Sequence, residues 1–213
     1  MSTTGAVVVA AGRGDRFGGP KQFLRLDGER LVDRAVAHCR RHCTEVVVVL
    51  PPDAEWDGPP VDAAVPGGAT RSASVRAGLA ALSAHVDVIV VHDAARPLVD
   101  DATFTAVIDA VRSGADAAVP AVAVADTLKR VAADRVVETV DRADLVAVQT
   151  PQAFRADVLR AAHALDGDAT DDAGLVERAG GRVVVVAGTA TNFKITTPAD
   201  LEIAAHLARR ESS

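Results

Sequence analysis

The residues best suited to chemistry fall in three strings. The first is Ala10-Ala11-Gly12-Arg13-Gly14-Asp15-Arg16-Phe17-Gly18-Gly19-Pro20-Lys21-Gln22. Glycine allows close backbone approach, and successive N–H groups make a concave seat for phosphate oxygens. Arg13, Arg16 and Lys21 add positive charge. Two common phosphate loops are excluded. A dinucleotide fingerprint would need glycine where Phe17 stands, and a Walker loop would need Gly-Lys-Ser/Thr where the chain has Pro20-Lys21-Gln22. A glycine-rich turn with solvated arginines is the plain alternative.

The second string, Val90-Val91-His92-Asp93-Ala94-Ala95-Arg96-Pro97, places Asp93 at the end of an apolar strand. In open α/β sheets ligands gather at the carboxyl ends of strands. A carboxylate there suits Mg²⁺, which takes few protein ligands and shares substrate phosphates. A turn cap or a pair with Arg96 is the alternative. The third, Gly67-Gly68-Ala69-Thr70-Arg71-Ser72-Ala73-Ser74-Val75, offers a close turn and hydroxyls to a polar ring, or simply caps a helix. Asn192-Phe193-Lys194-Ile195-Thr196 is expected to carry Lys194 in a short strand. Gln149–Phe154 and Thr170–Ala173 read as loop–helix junctions.

Only Lys21, Lys129 and Lys194 among 23 basic residues are lysine. Ammonium and guanidinium are not interchangeable, which marks these lysines for specific contacts. His38-Cys39-Arg40-Arg41-His42-Cys43 imitates a metal cluster, but four ligands on one helix surface do not converge on a tetrahedral centre. The cysteines read as small core residues, and no Ser/His/Asp arrangement stands out.

The elements that must position these strings alternate. Strands are expected at Ala6–Ala10, Glu45–Leu50, Val61–Val65, Val86–Val91, Ala117–Val124 (one or two) and Arg182–Ala187. Helices are expected at Leu31–His42, Arg71–Ala84, Asp101–Ser113, Arg155–Leu165, Asp171–Gly180 and Pro198–Arg210. Valine-rich strands between helices predict an α/β, doubly wound, mostly parallel sheet covered on both faces. Asp126–Val140 breaks the alternation as a hairpin, with strands Thr127–Val131 and Val136–Val140. A lone hairpin is marginal, so an arm pairing with a second subunit is expected.

The 213 residues suit a single domain, 1–213, with residues 126–140 as an inserted arm. Apolar residues at 49% and charged residues at 24% exclude disorder. No apolar run approaches the ~20 residues of a membrane span, and the start lacks a signal-peptide pattern. Two cysteines without CxxC spacing suggest a reduced, cytoplasmic protein. The net charge of −6 argues against a nucleic-acid partner. Residues 12–41 nevertheless hold eight basic against four acidic side chains, which suits a small anion.

Taken in order, these strings resemble the 2-C-methyl-D-erythritol 4-phosphate cytidylyltransferase family of the non-mevalonate isoprenoid pathway. The resemblance rests on AAGRGDRFGGPKQF from Ala10, GGATRSASV from Gly67, VHDAARP from Val91, DTLKR from Asp126, TVDR from Thr139, QTPQAF from Gln149, TDDA from Thr170 and NFKITTPADL from Asn192. It spans about Ala6 to Ala208. It implies a Rossmann-like nucleotidyltransferase fold with a protruding β-arm, a homodimer, CTP as co-substrate and Mg²⁺. Ala10, Ala11, Gly12, Gly14, Arg16, Lys21, Gly68 and Ser74 would hold the nucleotide, with Arg16 and Lys21 on its phosphates. Asp93 would hold the metal. Arg96, Thr127, Arg142, Thr150, Thr170 and Lys194 would surround the polyol phosphate, Thr127 and Arg142 arriving from the partner. Arg16, Lys21, Arg142 and Lys194 would carry catalysis. Thr191 stands where many members have Asp, and Ala69 where the family has an acidic residue. Two rivals remain: a ribitol 5-phosphate cytidylyltransferase, and a catalytically silent nucleotide-binding protein.

Overall fold

The computed structural model describes residues 2–12, 14, 17–165 and 169–211, the last two without their side chains. Strands are β1 (Thr4–Val9), β2 (Arg25–Leu26), β3 (Glu29–Arg30), β4 (Glu45–Leu50), β5 (Ala63–Pro66), β6 (Val88–Asp93), β7 (Ala117–Ala123), β8 (Leu128–Ala132), β9 (Arg135–Val140), β10 (Val146–Val148), β11 (Gln152–Arg155) and β12 (Val183–Ala187). Helices are α1 (Leu31–His42), α2 (Arg71–Ala81), α3 (Asp101–Arg112), α4 (Ala156–Ala164), α5 (Asp172–Arg178) and α6 (Pro198–Glu211).

Eight strands form one sheet. β1 lies within it, parallel to β4 on one side and β6 on the other, and β5 continues beyond β4. β7 is flanked by β12 in parallel and by β10 and then β11 antiparallel along its other edge. β11 also pairs with β6, so it joins the two parallel blocks.

Period-two alternation divides the valines between two cores. Ala6, Val8, Val46, Val48 and Val90 meet α1 and α3 through Val32, Val36, Phe104 and Val107. Val7, Val47, Val49, Ile89 and Val91 meet α2, α4 and α5 through Val75, Leu79, Leu159 and Val176. A sheet buried on both faces has no polar side to spare, which is why its strands read as unbroken apolar runs. α6 lies apart, packing with Leu26, Leu31, Leu98 and Ile195.

The expected doubly wound, mostly parallel sheet is present, and the expected helices match within a few residues. Ala117–Ala123 is a single strand. Two expectations are corrected. Gln152–Arg155 is not a loop–helix junction but the antiparallel strand at the heart of the sheet. Phe154 is fully buried there, and the segment is too short to show its period. The segment around Lys194 is not a strand. It is a loop with a single sheet-like bond, Ile195 N–H to the Ala95 carbonyl at 2.8 Å. The hairpin β8–β9 forms a two-stranded sheet of its own, with Ala133 at φ 52° in its tight turn.

Candidate active site

A cleft of about 980 Å³ opens where β1, β4 and β6 end. Ala10, Ala11, Gly12, Gly14, Lys21, Gly68, Ser74, Asp93 and Lys194 all line it, so the structure brings together residues from separate segments of the chain. Arg16 lies outside the described residues.

The glycine loop is closed on itself. The amides of Phe17, Gly18 and Gly19 all donate to the Gly14 carbonyl, at 2.8, 3.0 and 3.2 Å. Gly14 has φ +70°, and a Cβ there would meet the Gly19 carbonyl oxygen, so both conformation and space demand glycine. Buried Gln22 ties the loop to the sheet end, its Nε2 donating to the Gly12 carbonyl at 3.1 Å.

Opposite lies the turn before α2. Thr70 caps the helix by accepting from the Ala73 amide at 3.1 Å. Ser74 Oγ accepts from the Gly68 amide at 3.2 Å and donates to the Thr70 carbonyl at 3.0 Å. A Cβ on Gly67 would come within 2.3 Å of Ala11 Cβ, so the two walls of the cleft meet with only a hydrogen between them.

Asp93 is the floor. It is buried, and both carboxylate oxygens face cations: Lys194 Nζ at 2.6 Å and Arg71 Nη2 at 3.6 Å. Burial alone would raise the carboxyl pKa, but Lys194 and Arg71 outweigh it and hold Asp93 well below the carboxylate range. Behind it runs a hydrogen-bonded line. The Asp93 amide donates to Thr150 Oγ1 at 3.0 Å, Thr150 Oγ1 donates to His92 Nδ1 at 3.1 Å, and His92 Nε2 donates to the Arg96 carbonyl at 3.2 Å. This order requires a neutral imidazole. Burial enforces it, pushing His92 down to about 3.

Lys194 is held by its neighbours. Asp200, at the start of α6, accepts from the Thr196 and Thr197 amides and from Thr196 Oγ1, each at 2.7 Å, and these bonds draw its pKa to about 2. Asn192 is fully buried and donates to the Thr150 carbonyl at 2.9 Å and Gln149 Oε1 at 3.2 Å.

The expected polyol-phosphate residues separate into two groups. Arg96 and Thr150 lie beside Asp93. Arg96 Nη1 donates to the Asn192 carbonyl at 2.7 Å, while Thr150 is buried and spends its hydroxyl on Asp93 and His92. Thr127, Arg142 and Thr170 are exposed and do not line the cleft. Arg142 Nη1 donates to the carbonyls of Val124 (3.0 Å) and Ala125, at the foot of the hairpin. Thr191 is exposed, its hydroxyl on Thr189 at 3.3 Å.

Sequence reasoning missed Asp53 and Arg71, both lining the cleft. Arg71 had a signal: it opens a helix directly after the paired glycines. His38 and His42 stack on Phe104, Cys39 and Cys43 are buried free thiols, and no group of three metal-ligating side chains occurs among the described residues.

A glycine loop at a strand end, a buried carboxylate between two cations and a second lysine together suit an anionic, phosphate-bearing ligand. Comparison with known proteins decides which. The family model for 2-C-methyl-D-erythritol 4-phosphate cytidylyltransferase matches residues 4–210. The chain belongs to this family. A member from Streptomyces coelicolor is 48% identical, across 97% of this chain and 86% of that protein. One from Streptomyces avermitilis is 46% identical, across 97% and 92%. The crystal structure of the Thermus thermophilus protein of the same name superposes with a TM-score of 0.80 at 42% identity, covering 98% of this chain and all of that one. The chain is therefore a cytidylyltransferase, an enzyme that uses CTP. Among the described residues no helix is long and apolar enough to cross a membrane.

Proposed function

We propose that this chain transfers the cytidylyl group of CTP to 2-C-methyl-D-erythritol 4-phosphate by direct attack of the substrate phosphate on the α-phosphorus, releasing pyrophosphate. The observation that carries the reading is the Asp93–Lys194–Arg71 cluster on the floor of the glycine-loop cleft. A phosphate monoester is already an anionic nucleophile, so the site needs no general base. It needs positioning and neutralisation of charge that grows on the phosphates. Cytosine and ribose sit between Ala10–Ala11 and Gly68–Ser74, and the triphosphate lies along Gly12–Lys21 with Arg16 and Lys21. Lys194 leaves Asp93 for the reacting phosphates.

Asp93 fits Mg²⁺. Magnesium takes one or two protein carboxylates and completes its shell with phosphate and water. Asp93 supplies one, kept ionised by its neighbours. Thr191 adds none, so the remaining ligands would be phosphate oxygens and water. When bound, the ion would neutralise the α- and leaving phosphates. Arg96 and Thr170, with Thr127 and Arg142 of a second subunit, would receive the polyol phosphate. This reading makes the chain a single domain, 1–213, that acts as a cytoplasmic homodimer through its arm at 126–140.

The test is pyrophosphate release by purified protein with CTP, Mg²⁺ and either methylerythritol 4-phosphate or ribitol 5-phosphate. Turnover with the former at least tenfold above the latter supports the reading. Preference for ribitol 5-phosphate, or no turnover with either, overturns it. CTP is expected to exceed ATP and GTP because the small Gly68–Ala69 turn suits a pyrimidine better than a larger purine.

A further inference from the structure

Behind the cleft wall the charge cluster continues into the core. Arg71, the first residue of α2, places Nη2 near Asp93 and gives Nη1 to Asp172 Oδ2 at 2.7 Å. Asp172 is wholly buried at the start of α5. Its other oxygen accepts from Nε2 of buried His163, on α4, at 3.0 Å. The line His163–Asp172–Arg71–Asp93–Lys194 thus spans three helices, the end of β6 and the Lys194 loop.

The two cations on Asp93 are held differently. The Lys194 side chain is 37% exposed, and its ammonium meets Asp93 from the solvent side. Arg71 is anchored at its far end by a carboxylate with no exposure. That carboxylate is itself fixed. Buried Gln152, on the central strand β11, donates Nε2 to Asp171 Oδ2 at 2.9 Å and accepts from the Ala173 amide at 3.3 Å, gripping α5 on either side of Asp172. A guanidinium presents its donors in a rigid planar fork, so fixing one nitrogen aims the other.

We propose that Asp172, backed by His163, is a positioning residue for the transfer. It aims Arg71 at Asp93 and the cleft, so that Arg71 stays in place when Lys194 moves to substrate. This rests on the function proposed above. It assigns a purpose to a buried acid that touches neither substrate nor Asp93.

Single and double variants test it. Asp172→Asn is expected to lower kcat at least tenfold while KM for both substrates changes less than threefold. On an Arg71→Ala background it is expected to lower kcat by less than twofold further, because Asp172 acts through Arg71. Losses that multiply in the double variant, or a Tm drop with unchanged kcat, would overturn the proposal in favour of a structural role. Should the Asn variant not fold, His163→Asn against the same Arg71→Ala background makes the same comparison with a smaller effect. A second readout needs no turnover. In metal-free protein the Arg71 Nε–H signal in ¹⁵N NMR is expected to exchange with solvent at least tenfold faster in Asp172→Asn than in the wild type, and equal rates would overturn the clamp. Wild-type protein without turnover would end the functional reading and leave this NMR comparison to judge the clamp alone.

Discussion

Around Asp93 the polar groups find partners within their own chain: Lys194, Arg71, Thr150, His92 and Asp172 are joined by contacts that cross as many as 101 positions of sequence. The hairpin β8–β9 is the reverse. It pairs only with itself, and Val131, Val136 and Val137 are 54%, 60% and 57% exposed. One region is fixed by contacts within the single chain. The other keeps an apolar surface exposed to water, the feature on which the proposed dimer rests. The difference is between charges whose geometry burial has fixed and a projection whose apolar surface is left open.

Breaking the buried charge cluster is expected to do the most damage. Asp93→Asn should lower kcat by about 10³-fold, the scale of losing a principal electrostatic group at a reacting phosphate. Its Tm should fall by only a few degrees, since Lys194 turns to water and Arg71 keeps Asp172. Steady-state kinetics beside calorimetry checks both, and near-normal turnover at saturating Mg²⁺ removes Asp93 from the mechanism. At the arm, Val136→Asp with Val137→Asp is expected to convert dimer to monomer in sedimentation and to lower activity about tenfold or more, with the sheet domain still folded.

A finer test mixes two inactive variants. If each site takes Arg142 from the opposite chain, Arg142→Ala combined with Lys21→Ala places one intact site in every mixed dimer. Half of randomly assorted dimers are mixed, so about a quarter of wild-type activity should return. No recovery, with exchange confirmed by mass spectrometry, puts Arg142 back on its own chain.

The smallest effect is in pH. Burial holds His92 at about 3 in the folded chain, against about 6.5 when unfolded. Between those values the unfolded chain binds more protons, so stability contributed by neutral His92 is full above about pH 6.5 and is lost as pH falls toward 3. Asp93, held low by its cations, adds a second loss below about pH 4. Tm measured from about pH 7 to about pH 4 should therefore decline, with a shallower slope in His92→Gln. Equal slopes would show that His92 is not the group titrating.

Much of this arrangement was legible in the sequence because two local signals are strong there. Valine-rich runs announce strands buried on both faces, and Gly12, Gly14, Gly67 and Gly68 mark turns at their ends. Asp93 and Lys21 could be found because they adjoin such signals. The Gln152–Arg155 strand could not, since a short segment after a proline carries no usable period and its place between β6 and β7 is a fact of topology. Lys194 was found by type but placed on the wrong element, because the bonds that fix its loop come from Asp200 in the next helix. Asp172 was invisible as the partner of Arg71, and His163 as the partner of Asp172. No local pattern encodes a pair 101 residues apart.

The late strand β11 also gives the molecule a chronology. β1, β4, β5 and β6 are all encoded by the first 93 residues and can assemble as a parallel block, but the edge of β6 stays open until Gln152–Arg155 arrives to bridge it to β7. Non-local pairing of this kind is slow, and an unpaired apolar edge is a template for wrong partners while it waits. A chain emerging residue by residue must therefore hold a half-built sheet through some 60 further residues. Thr150, which fixes the backbone of Asp93, comes into place with that same late segment. The floor of the cleft is consequently set when the sheet closes.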